Sequence, residues 1–272
     1  MALFVGGCAL GGGGSGFRLP EGDPPPDSLV TWINSQALST GSVKGSGKLR
    51  VVTPEYPGGR QLDMSLVARR PDLVRMRGRV GILASIFDFL ADADSLHFYL
   101  PRDHVELAQA NVPGADLMSI VASRELVEAI LPPPIVIGGA AGDIMLEKGK
   151  DAWIVTRTRT LNGAPRLHRS VYDAERLKLV EMSIRPAGAA VDSPEVMITY
   201  DRHAWTGQAW FPGRIRLELP GETRSVTLTF ETFEPNPATS PDVFTWSVPA
   251  GTRRLSPEEM TDDFLRSAPD AE

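Results

Sequence analysis

Cys8 is the single cysteine in 272 residues, so it has no disulfide partner within the chain. The apolar stretch Leu3-Phe4-Val5-Gly6-Gly7 precedes it, and Gly11-Gly12-Gly13-Gly14-Ser15-Gly16 follows. That order reads as the tail of a secretory signal, a cleavage point and a tether. The pattern resembles a bacterial lipobox, in which the cysteine becomes the lipidated first residue and acyl chains hold the protein at a membrane. The alternative is an incidental thiol. No residue before Cys8 is basic, so a full signal would begin upstream of Met1. Ala9 stands where aspartate marks inner-membrane retention in enteric bacteria, and alanine there points to the outer membrane.

The remaining reactive residue types form no catalytic set. His97, His104, His168 and His203 show neither H-E-x-x-H nor a paired metal spacing. His97 alternates with Leu96 and Phe98, which places it on the wet face of a strand. Asp103-His104 and Asp201-Arg202-His203 offer acid–base pairs in solvated loops. Gly45-Ser46-Gly47 lies within a strand and precedes no helix, so it is no nucleophile elbow. The glycine run lacks the lysine of a phosphate loop. Asp88, Asp92, Asp94 and Asp103 lack the calcium-loop pattern. Arg75, Arg77, Arg79, Arg157 and Arg159 read as basic stripes on outer strand faces, open to solvent or to anionic headgroups. The expectation is a protein that is not an enzyme and uses no cofactor or metal.

The elements that would position these residues are mostly strands. The apolar fraction of 42% and charged fraction of 23% are those of a globular protein, and a net charge of −6 gives no footprint for nucleic acid. A helix follows Pro24-Pro25-Pro26, with Asp27 or Ser28 as N-cap and Leu29, Val30, Ile33 and Leu38 on its apolar side. Alternation at 43–51, 61–68, 74–80, 84–91 and 95–100 predicts a meander. Leu117, Ile120 and Val121 are spaced for a helix. Ser123 would cap a second one with Leu126, Val127, Ile130 and Leu131 inward, stopped by Pro132-Pro133-Pro134. Ile135 to Gly142 reads as a loop. Asn162-Gly163 joins strands at 152–161 and 164–173. Runs at 176–184, 194–202, 209–219 and 223–233 follow, and 256–266 reads as a short polar helix.

One helix, a meander, a helical insertion and a second meander is an uncommon order. It resembles the LolA/LolB-like lipoprotein-carrier family, in its uncharacterised lipoprotein branch. The likeness runs through Leu29 to Gly47, Arg70-Pro71-Asp72-Leu73-Val74-Arg75-Met76, Leu96 to Pro101, Pro212 to Leu217, and Val243 to Gly251. It implies a mainly β fold with α elements: a curved antiparallel sheet, an incomplete β-barrel, covered by short helices. The domains would be 1–8 signal remnant and lipobox, 9–26 flexible tether, 27–252 half-barrel, and 253–272 polar C-terminal tail.

The resemblance implies a monomeric cell-envelope lipoprotein, anchored to the outer membrane and facing the periplasm. It would bind acyl chains or lipidated proteins in a hydrophobic cavity, with no nucleic-acid partner. The alternative it leaves open is a non-transporting envelope sensor or scaffold. Expected cavity residues are the inward positions Leu49, Val51, Leu62, Met64, Leu66, Val74, Met76, Phe87, Phe89, Leu96 and Phe98. Expected lid residues are Leu117, Ile120, Leu126 and Ile130, and Cys8 is the lipidation site. An apolar strand face under helices is also what a filled core looks like. The arginine that latches the lid of the family's soluble carrier has no assigned position in this sequence.

Overall fold

The computed structural model describes residues 16–20, 22–81, 84–92, 94–110, 124–132, 135, 144–161, 164–189, 194–221 and 223–268. Cys8, Ala9, Leu117, Ile120, Ser123, the Asn162-Gly163 turn and the loop at 136–142 lie outside them.

The first meander is β1 (Ser42–Val52), β2 (Arg60–Arg69), β3 (Leu73–Val80), β4 (Ala84–Ala91) and β5 (Ser95–Leu100). A strand unassigned from sequence, β6 (Val105–Ala110), extends it. The second comprises β7 (Ile144–Lys148), also unassigned, then β8 (Ala152–Leu161), β9 (Ala164–Asp173), β10 (Leu179–Pro186) and β11 (Val196–Asp201). A small hairpin, β12 (Ala204–Trp205) and β13 (Trp210–Phe211), precedes β14 (Arg214–Leu219) and β15 (Arg224–Pro235). The helices are α1 (Pro26–Ser39), α2 (Arg124–Ile130) and α3 (Pro257–Ser267), and β16 (Arg253–Arg254) is a two-residue strand before α3.

Alternation works because one side of each strand faces the core. Leu49, Val51, Leu62, Met64, Leu66, Val74 and Met76 are buried while their neighbours face outward. Fourteen of the described strands form one unclosed curved sheet in the order β16-β6-β5-β4-β3-β2-β1-β15-β14-β11-β10-β9-β8-β7, and β12 pairs with β13 apart from it. The two meanders join where β1 pairs antiparallel with β15, from Val43 opposite Pro235 to Val52 opposite Ser225. A bulge there sits at Ser46 and Gly47. A Cβ on Gly47 would lie 1.9 Å from the Thr229 carbonyl oxygen, so only glycine fits this crossing.

Several expectations shift. α1 starts at Pro26 with Pro25 at the N-cap and no side-chain cap, so neither Asp27 nor Ser28 caps it. Proline at the first helical position needs no amide partner, and Asp27 in the first turn complements the helix dipole instead. Leu38 is 61% exposed, because five residues beyond Ile33 turn it about 140° off the buried face. The run at 176–184 begins only at Leu179: Asp173 turns the chain by accepting the amides of Glu175 and Arg176, and Leu177 takes φ 53°. The run at 209–219 breaks at Pro212-Gly213, where the Gly213 amide donates to Arg202 instead of a neighbouring strand.

The residues after β15 wrap the sheet, first the end of the expected half-barrel span and then, from 253, the expected polar tail. Residues 236–252 cross the outer face as a strap. Arg75 donates to the Val243 and Thr245 carbonyls at 2.8 and 2.9 Å and pairs with both Asp88 oxygens. Trp246 stacks on His97 and donates to Glu106 at 2.8 Å. Arg75 and His97 are therefore covered rather than solvated, whereas Arg77 and Arg79 remain exposed. β16 then pairs parallel with the β6 edge. α3, opened by a Ser256–Glu259 capping box, turns Met260, Phe264 and Leu265 into the core.

Candidate functional site

α1 and α2 lie over the inner face, and one side chain joins them. Arg70, at the end of β2, donates to the Ala37 and Thr40 carbonyls of the α1 C-terminus at 2.9 and 3.1 Å. It also donates to the Leu131 and Pro132 carbonyls after α2 at 3.0 and 2.7 Å. Helix ends leave carbonyls without intrahelical partners, and a guanidinium with five fixed donors can serve two ends at once. Burial lowers its pKa from the ordinary value, opposed by nearby Glu128.

α2 has a second fastening. Glu128, 4% exposed, accepts from Arg159 Nη1 at 2.6 Å. Arg157 and Arg159 share the face of Trp153 and Val155, so they point inward and not outward as expected. The phase of Trp153 and Val155 already carried that signal. His168, Ser170 and Tyr172 on β9 share this inner face, and His168 is fully buried. Burial pushes the Tyr172 phenol up to about 12, opposed by Arg157 and a hydrogen bond with Ser170. After α2, Asn34 clamps Ile135 by two 2.6 Å bonds, one to its carbonyl and one from its amide.

A cavity of about 80 Å³ lies beneath the two helices. Ile33, Gln36, Ala37 and Thr40 line it from α1, Ile130 and Leu131 from α2, and Arg70 from β2. Tyr172, Leu177, Leu179, Tyr200 and His203 form the opposite wall, and Ala209 to Pro212 the end. It is small beside the roughly 300 Å³ and more of a usual ligand pocket. A depression of about 160 Å³ between Thr53, Arg224 and α3 is walled by Glu55, Glu258, Asp262 and Leu265.

Of the expected lid residues, Ile130 lines the cavity and Leu126 is buried in the core cluster that the first-half strands share with α2. All eleven expected wall residues are buried side by side on the inner face, but none lines this cavity. α3 packs on that face at β4 and β5. Phe264 sits edge-on to Phe87 and Phe98, each at 5.5 Å and 84°. Sequence reasoning missed Arg70 as a latch, although it had singled out the segment that begins with it.

His203 donates from Nε2 to the Leu179 carbonyl at 2.8 Å. Burial holds its pKa below the ordinary value, reinforced by Lys178 and opposed by that bond, Asp201 and Asp173. The unfolded imidazole thus binds a proton more tightly than the folded one. Its stabilising contribution is full above about pH 6.5 and is lost as pH falls through the lower folded value. Thermal melts below about pH 6.5 should show declining stability, with a shallower decline in His203→Gln. An equal slope in that variant would place the titration elsewhere. Among the described residues no group of three or more His, Cys, Asp or Glu could hold a metal. No described helix is long and apolar enough to cross a membrane.

Solved structures share this mostly β fold with its large unclosed sheet. A LolA superfamily protein from Nitrosomonas europaea matches with TM-score 0.56 at 10% identity, over 82% of this chain and 99% of its own. The fold is LolA-like. A domain named for outer membrane lipoprotein sorting, from Vibrio parahaemolyticus, shares the LolA-like fold at TM-score 0.54 and 11% identity, over 80% and 94% of the two chains. A DUF1329 family protein from Desulfovibrio piger does so at TM-score 0.54 and 10% identity, over 82% and 98%. No family model and no curated protein matches in sequence. At these identities the likeness is one of fold.

Proposed function

We propose that this chain is a cell-envelope protein that binds acyl chains or lipidated proteins beneath α1 and α2, in lipid or lipoprotein transport to the outer membrane. The observation that carries the reading is Arg70. Its four bonds close two helices over an apolar cavity through side-chain hydrogen bonds, which break and re-form more readily than a packed core. The shared fold of a lipoprotein-sorting domain supports it. Burying an acyl chain yields about 0.8 kcal/mol per methylene, so opening the helices over a long chain is favourable. In this reading Cys8 carries the anchor, and the acyl group in the cavity is cargo.

One observation favours a second reading, a non-transporting envelope sensor or scaffold: α3 packs on the inner face of the first half. The full chain carrying Cys8→Ser should co-purify with lipid detectable by mass spectrometry and should take up a fluorescent fatty acid. A chain without lipid or uptake, bound stoichiometrically to a protein partner, would reverse the order of the two readings.

A further inference from the structure

We infer that the cavity receives the carbonyl end of an acyl chain, an ester or amide oxygen, rather than bare hydrocarbon; this rests on the acyl-binding reading above. Two groups on its wall carry the inference. Tyr200 is 4% exposed, and its hydroxyl has no hydrogen-bond partner among the described residues. Gln36 Nε2, on α1, is buried in the same condition. The Gln36 amide is oriented, because its Oε1 accepts the Trp210 amide at 3.3 Å, which leaves the NH₂ as the end without a partner. Other polar groups of the wall are engaged: Arg70 with four carbonyls, and His203 Nε2 with Leu179.

Both orphan groups can donate. A buried donor without an acceptor is unfavourable, and native structures rarely leave one. A methylene chain supplies no acceptor. Arg70, the cation of the lining, is committed to four carbonyls, so a phosphate would find no free cation there. A carbonyl oxygen has two lone pairs and can accept from either donor. The methylenes attached to it then meet Ile33, Ile130, Leu131, Leu177 and Phe211. Glyceride esters and the acyl amides of lipidated proteins share this linkage.

The test uses the full chain carrying Cys8→Ser, with N-phenyl-1-naphthylamine as a carbonyl-free apolar probe. Competitors are 1-palmitoylglycerol, its ether analogue 1-O-hexadecylglycerol, and an N-palmitoyl peptide. The ester should bind about tenfold tighter than the ether, the worth of one well-placed hydrogen bond. Tyr200→Phe and Gln36→Leu should each shrink that ratio toward one. Tyr200→Phe removes one oxygen and no apolar volume, so loss of fold does not confound it. Tighter binding of the peptide than of the glyceride would identify the source as a lipidated protein, the reverse a free lipid. If probe, ester and ether all bind, with equal ester and ether affinity in wild type and variants, the carbonyl contact is wrong and acyl binding stands. If none of the ligands binds, both are wrong.

Discussion

Replacing Arg70 with leucine is expected to lower stability by about 3 kcal/mol and to speed entry of an apolar probe into the cavity. The guanidinium bonds four backbone carbonyls from two helices. Hydrogen bonds to a charged donor contribute about 1.5–3 kcal/mol each, but these share one side chain and are not additive. Leucine also leaves part-buried carbonyls without donors. Arg70→Lys should recover less than half of the loss, because one ammonium cannot reach both helix ends as a planar fork does. Urea melts give the stability, and stopped-flow uptake of the probe gives the opening rate. A variant that melts and fills like wild type would show that Arg70 decorates the helix ends without holding them. Glu128→Gln gives an independent check at the other fastening, since it removes the buried negative charge that pairs with Arg159.

Truncating Phe264 to alanine is expected to cost about 3–5 kcal/mol, the range for a fully buried phenylalanine. The ring is 2% exposed and sits edge-on to two others, a geometry that adds to simple burial. For a chain of this size that corresponds to a drop of roughly 10 °C in melting temperature. The variant should also gain a second apolar-probe site, lined by Phe87 and Phe98, distinct from the one at Tyr200. A loss below about 1 kcal/mol would mean α3 rests on the sheet without plugging it. New probe binding would show that the first half of the barrel is a container kept shut by the chain's own C-terminus.

The architecture was legible because each strand announces itself locally. Leu62, Met64 and Leu66 alternate with Asp63 and Ser65, and the acidic turn at Asp92 marks where β4 ends. The site was less legible because its parts meet only in three dimensions. Arg70 sits in a turn and bonds backbone oxygens about 30 and 60 positions away, for which no residue type is required. Met260 and Phe264 lie in a polar-looking helix, and only their four-residue spacing hints at a buried face. Arg75 looks like a surface charge until the strap arrives from residues 243–245. β6, β7 and β16 went unassigned; β7 and β16 lie at the ends of the sheet, where half the pairing that shapes a strand is absent.

The segment leading to α1 has a geometric consequence. It was expected to be a free tether, yet Trp210 Nε1 donates to the Phe17 carbonyl at 3.2 Å, and the Leu19 amide donates to Glu175 at 2.7 Å. Gly16 packs so closely on Trp210 and Trp205 that a Cβ would meet a ring at 2.4 Å. Trp210 also lines the cavity. From Cys8 to Gly16 a fully extended chain would reach at most about 28 Å. Were an anchor attached at Cys8, these contacts would set which end of the barrel sits nearest the bilayer as well as how far away it lies.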